Sequence, residues 1–162
     1  MTAEGEFVHR HVHRAPPELL FACMTTPEHL THFWGPVGTT TPVDGIVVDL
    51  RPGGAFETMI VSDHDGSQHL MRAVYETIDP PNVVAWREPG SGMVTTVTFT
   101  SLGDGSTEVV TRQRHVPEPY RAPDARAGWA TSMDRYASYV ATVAPPHEPD
   151  TPSPDPTVRT CT

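Results

Sequence analysis

Gly128-Trp129-Ala130-Thr131-Ser132-Met133-Asp134-Arg135-Tyr136-Ala137-Ser138-Tyr139-Val140-Ala141-Thr142-Val143 is the stretch whose reading decides the fold. Trp129, Met133, Tyr136 and Val140 recur at spacings of four, three and four, which puts them on one face of a helix. Nearly everything before it, from Ile46 to His115, reads as short β-strands. A helix with one apolar stripe must bury it, and after a run of antiparallel strands the surface on offer is the concave face of a curved sheet. A helix laid across such a face can leave a hollow beneath it. The functional reading depends on that hollow.

Working outward, strands are predicted at Ile46–Leu50, Ala55–Ser62, His69–Ile78, Val83–Glu88, Val94–Ser101 and Glu108–His115. Turn signals separate them, among them Pro52-Gly53-Gly54, Asp79-Pro80-Pro81-Asn82 and Gly103-Asp104-Gly105. The gaps are short, so successive strands should pair as antiparallel hairpins. Upstream, residues 6–14 alternate as a further strand that stops at Ala15-Pro16-Pro17. A short helix follows from Glu18 to Met24, and a second starts at Thr26-Pro27-Glu28 with Thr26 as N-cap and Leu30, Phe33 and Trp34 on its buried side. Residues 37–44 read as a polar loop. The expected class is therefore α+β: a curved antiparallel sheet of about seven strands around a long C-terminal helix, with two short helices after the first strand.

The chain has 162 residues, enough for one domain with a real core. Residues 1–144 are assigned to that domain. Residues 145–162 hold six of the 18 prolines and almost no apolar side chains, and should be a disordered tail. Net charge is −9 and lysine is absent, with no basic stripe to meet phosphates, so nucleic acid is excluded as a partner. No apolar run is long enough to span a bilayer, which argues against a membrane partner. Two distant cysteines, Cys23 and Cys161, make no disulfide framework and suit a reducing cytoplasm. Nothing in the sequence bears on oligomeric state.

Several motifs, in order, resemble the START-like superfamily in its branch related to the Hsp90-ATPase activator. They are Arg14-Ala15-Pro16-Pro17-Glu18, Thr26-Pro27-Glu28-His29-Leu30 with Phe33-Trp34-Gly35-Pro36, Asp49-Leu50-Arg51-Pro52-Gly53-Gly54, Tyr75-Glu76-Thr77-Ile78-Asp79-Pro80-Pro81, Ser106-Thr107-Glu108-Val109 and Gly128-Trp129. The resemblance implies a helix-grip fold, in which the sheet wraps the last helix around a ligand cavity. It implies far less about chemistry, because fold does not fix function. Within the branch the chain is also similar to actinobacterial proteins of polyketide and enediyne antibiotic clusters, including self-sacrifice resistance proteins. Two departures from the branch stand out: His11 and His13 replace the usual arginine and apolar residue of the first strand, and Ala73 replaces a common glycine.

The first strand carries the least ordinary pattern. His9, His11 and His13 share one face with Phe7. Three readings compete. A His-x-His zinc site would need Glu57, His69 or His115 to converge on it. Neutral imidazoles could instead form polar cavity lining and move protons near pH 7. A solvated, cationic edge strand that blunts edge-to-edge pairing is the favoured reading. No metal and no cofactor is expected.

The ligand-binding candidates are Trp34, Met59, Met71, Tyr75, Trp86, Phe99, Gln113, His115, Trp129, Met133 and Tyr136, with His11, His13 and Glu57 as possible polar lining. Singly, each reads as core. Together they mix apolar walls with a few polar groups, as ligand pockets do, and methionine suits irregular walls. Within strands Met71, Ala73 and Tyr75 share a face, as do Val84, Trp86 and Glu88, and as do Val109, Thr111, Gln113 and His115. Gly128 is expected to let the helix approach the sheet closely. No serine sits in a Gly-x-Ser-x-Gly elbow, and no glycine-rich loop precedes a helix, so acyl-transfer and nucleotide chemistry find no signature. The leading expectation is a binder of a hydrophobic or aromatic small molecule, a polyketide- or enediyne-type natural product. A cyclase or aromatase using His115, His11 or Tyr75 is the alternative, and a chaperone-activating interaction module the third.

Overall fold

The computed structural model describes residues 5–144, and the tail expected at 145–162 lies outside the described residues. Strand β1 (Phe7–His13) is followed by helix α1 (Pro17–Thr25), the one-turn helix α2 (Pro27–Leu30), β2 (Thr39–Thr40), β3 (Val47–Val48), β4 (Ala55–Ser62), β5 (Gln68–Asp79), β6 (Val83–Arg87), β7 (Val94–Ser101), β8 (Thr107–Arg114) and helix α3 (Pro123–Val143). The strands form one antiparallel eight-stranded sheet in the order β1-β8-β7-β6-β5-β4-β2, with β3 paired to β4 off that path. This is the α+β, helix-grip arrangement the sequence implied. Among the described residues no helix is long and apolar enough to cross a membrane.

Three local expectations change. The extra strand, β2, falls in the stretch read as a loop; it pairs Thr39 with Ser62 and Thr40 with Val61. The strand expected over Ile46–Leu50 shortens to Val47–Val48, because the chain turns tightly at once: Asp49 N–H donates to Ala55 O, and Gly54 N–H to Arg51 O. A Cβ at Gly54 would lie 2.0 Å from Asp49 O, so only glycine fits that turn. Helix α3 begins at Pro123 rather than Gly128, with proline in its first turn, where the missing N–H costs nothing. Thr26 precedes α2 but makes no side-chain cap.

Cross-strand register fixes what faces inward. Phe7 lies opposite Gln113, Gln113 opposite Thr95, Thr95 opposite Trp86, and Trp86 opposite Tyr75. Side chains directly opposite share a face, so one row crosses the concave side from edge to middle. α1 covers one half of this side: Phe21 meets Phe99 at 5.6 Å between ring centroids, and Tyr136 of α3 donates its hydroxyl to Leu20 O at 2.8 Å. Phe56 stacks on Tyr75 at 5.2 Å in the same half. The other half has no α1 above it.

Gly128 does not serve a close approach to the sheet. A Cβ there would meet only Pro36 Cβ, at 3.9 Å, which is ordinary contact.

Candidate functional site

The uncovered half of the concave face is a cavity of about 500 Å³, within the range of small-molecule sites. Its floor comes from alternate residues of five strands: Ile60 on β4, His69 and Met71 on β5, Trp86 and, just past the end of β6, Glu88, then Thr95 and Val97 on β7, Thr111 and Gln113 on β8. Phe7 closes the β1 side. The roof is the first half of α3, where Asp124, Ala125, Gly128, Trp129, Ser132 and Met133 recur on one helical face. Met24, Phe33, Trp34, Gly35 and Pro36 close one end, and Met93, Val116 and Tyr120 lie on loops at the rim.

The walls are held from behind. Trp34 donates its indole N–H to the buried Thr58 hydroxyl at 3.0 Å, and its ring meets Phe56 at 5.2 Å and Trp86 at 5.9 Å. Arg135 ties the rim loop to α3: its Nη1 donates to Gly35 O at 2.9 Å, Pro36 O at 3.0 Å and Thr39 O at 3.3 Å. Val37 N–H adds a bond to Thr131 Oγ1 at 3.1 Å. Sequence reasoning missed Arg135, because an arginine on a helix reads as solvated until the loop it clamps is placed.

Of the residues predicted for the site, Trp34, Met71, Trp86, Gln113, Trp129 and Met133 line the cavity. Tyr75, Phe99 and Tyr136 face inward but sit in the half covered by α1, where they are 1%, 3% and 3% exposed. Burial pushes the Tyr75 phenol far up, and its hydroxyl has no hydrogen-bond partner among the described residues. Met59 and Glu57 face the opposite, convex side: β4 turns Phe56 and Thr58 inward, so Glu57 reaches Arg72 at 3.9 Å and Met59 packs beside Gly45. His115 is turned away. It adopts φ +58°, past the end of β8, which breaks the alternation and hands the inward place to Val116.

The histidines of β1 face α3 outside the cavity. His9 lies edge-on to Trp129 at 6.1 Å, His11 is exposed, and His13 is buried beneath Tyr136 at 5.3 Å. β1 is an edge strand, but His13 is not a solvated cation: burial, then the neighbouring His11 and His9, lower its pKa to about 4. No group of three His, Cys, Asp or Glu among the described residues is placed to hold a metal ion. None of His115, His11 and Tyr75, the proton carriers of the cyclase reading, touches the cavity.

Two polar lining groups, His69 and Glu88, are not among the residues predicted to bind a ligand. His69 lies at the exposed end of β5, opposite Ile60. Glu88 follows Trp86 on the inward alternation, is half-buried, and has its carboxyl pKa raised by that burial.

A curved sheet gripping a long helix over a cavity defines a START-like, helix-grip protein. The chain matches the model of the family described as Activator of Hsp90 ATPase homolog 1-like protein over residues 14–141, and it belongs to that family. A search of curated proteins finds no match. Among solved structures, a protein from Chromobacterium violaceum superposes with a TM-score of 0.74 at 23% identity, covering 84% of this chain and 96% of that one. A Silicibacter pomeroyi protein bearing the family's name gives 0.71 at 19% identity, covering 85% and 98%. An AHSA1-like protein from Aeromonas hydrophila gives 0.69 at 18%, covering 84% and 93%. At these identities the likeness is one of fold.

Proposed function

We propose that this protein binds a hydrophobic, ring-containing small molecule between the sheet and α3. The observation that carries the reading is the unfilled half of the concave face: a cavity of about 500 Å³ walled by Trp34, Trp86, Trp129, Met71, Met93 and Met133, with a few polar groups among them. Such a lining buries rings for their area and orients them through isolated hydrogen bonds. The finer reading is a polyketide- or enediyne-type natural product, bound in biosynthesis or for self-resistance. The glycines among the described residues that line the cavity, and so the candidates in a self-sacrifice version, are Gly35 and Gly128. The free, buried thiol of Cys23 agrees with a reducing, cytoplasmic setting. The reading as a chaperone-activating module rests on the family's description alone.

The test is a thermal-shift screen against polyketide and enediyne-type aromatics, run beside a Met133→Trp variant whose larger side chain fills the roof. Ligands that bind only the folded state raise the melting temperature, by an amount that grows with concentration. Shifts in the native protein that vanish in the variant support the site. A flat response across the library overturns the reading.

A further inference from the structure

Among the described residues the titratable side chains that line the cavity are His69, Glu88, Tyr120 and Asp124, with no arginine, and the chain has no lysine. The lining carboxyls Glu88 and Asp124 therefore have no lysine or arginine set against them on the described walls. Asp124 and Tyr120 are exposed at the rim, where water serves them. Glu88 differs. It follows Trp86 on the inward face, its backbone N–H is held by Met93 O at 2.9 Å, and among the described residues no hydrogen bond or ion pair engages its carboxyl. The adjacent Arg87 points the other way and is spent on Glu76 at 3.0 Å. A half-buried carboxyl against apolar walls, with no protein partner, is costly unless something else supplies the cation or donor. The three tryptophans of the chain, Trp34, Trp86 and Trp129, all line the same space. Indole faces attract cations and repel anions.

We propose that the ligand of this cavity carries a basic nitrogen, which pairs with the Glu88 carboxylate while its rings lie against Trp34, Trp86 and Trp129. The inference rests on the small-molecule binding reading above and narrows it. An amphipathic acid of the same size would set its carboxylate against Glu88 and the indole faces, with no lysine or arginine among the described lining residues to receive it. A neutral aromatic would bury its rings and leave Glu88 unpaired. The ligand class is thus an aromatic or polycyclic amine, including ring systems that bear an amino substituent.

The experiment compares 2-(aminomethyl)naphthalene, 2-naphthalenemethanol and 2-naphthoate, which share a ring system and differ in charge. Binding is read from intrinsic tryptophan fluorescence, since every tryptophan lies at the site, and checked by calorimetry. In the native protein the amine is expected to bind about tenfold tighter than the alcohol, and the carboxylate weakest, as for one charge-assisted hydrogen bond gained or opposed. Glu88→Gln keeps the shape and removes the charge; it should reduce the amine's advantage to about threefold or less, weakening the amine far more than the alcohol. Asp124→Asn, at the exposed start of the roof helix, tests the other lining carboxyl and should change the preference less than Glu88→Gln does. Equal binding of the three probes, or a preference that survives Glu88→Gln or disappears with Asp124→Asn, overturns the assignment to Glu88 while the binding reading stands. Failure of all three probes to bind overturns both.

Discussion

The concave face of this sheet has two halves, built from the same strands and completed differently. In one, Phe56, Tyr75, Val84, Phe99 and Val109 belong to a core cluster with Leu20 and Phe21 of α1 and Tyr136 and Val140 of α3. In the other, Met71, Trp86, Thr95, Thr111 and Gln113 face the N-terminal half of α3 across open space. The same alternation produced both, so strand chemistry does not separate them. The second layer does: α1 is only nine residues long and ends at Thr25, which leaves half of the groove uncovered. One half is committed to stability and the other is left available for a ligand.

Substitutions can break or sharpen that contrast. The largest effect is expected for Phe56→Ala in the filled half, a loss of about 3–5 kcal/mol in urea unfolding, because the side chain is fully buried against Trp34, Tyr75 and Trp86. Met133→Ala in the hollow half should cost far less, since that side chain is already half-exposed; comparable losses would show that the cavity is packed in solution.

Next comes the pH dependence of the β1–α3 seam, which flanks both halves. The folded pKa of His13 is lowered to about 4, below the unfolded value of 6.5. Between those values the unfolded chain takes up a proton that the native state refuses, so stability is full above about pH 6.5 and falls towards pH 4, by at most about 1.4 kcal/mol per pH unit. In His13→Gln the melting temperature should lose much of its slope in that window; an unchanged slope assigns the effect elsewhere.

Arg135→Ala should cost about 1–2 kcal/mol, because three carbonyls of the rim loop lose their donor. Faster amide exchange confined to residues 35–39 would show that this clamp shapes the cavity's rim. The smallest effect is a gain. Gly128→Ala should stabilise the protein by up to about 1 kcal/mol, since helix propensity improves and the new methyl finds only Pro36 at 3.9 Å. A loss would mean that α3 lies closer to its neighbours than 3.9 Å.

Much of the fold was legible because periodicity is a local property. Alternation in Ala55–Ser62 and Val94–Ser101 marked both strands with their observed limits. It also set Met71 with Tyr75, and Trp86 with Glu88, on shared faces. Failures arose where parity was interrupted or its sign was open. His115 follows the inward pattern of Val109, Thr111 and Gln113, but one left-handed residue after the strand end reverses the side. Glu57 and Met59 lie on a correctly read strand whose inward set was the other one, and only pairing with β5 settles that choice.

For the site, the sequence by itself determined the composition of the walls: aromatic and methionine side chains with isolated polar groups, and an acidic balance without lysine. It determined through the spacing of Trp129, Met133, Tyr136 and Val140 that one helix face would meet the sheet. Only the tertiary structure decided that Trp129 and Met133 roof a cavity while Tyr136, one turn on, is bonded to Leu20 and buried. It alone decided that His13 is core, that Arg135 holds the rim loop, and that Glu88 faces the hollow without a partner among the described residues. The physical reason is that a side chain's face follows from its own backbone, whereas its burial and its partners depend on where distant segments end.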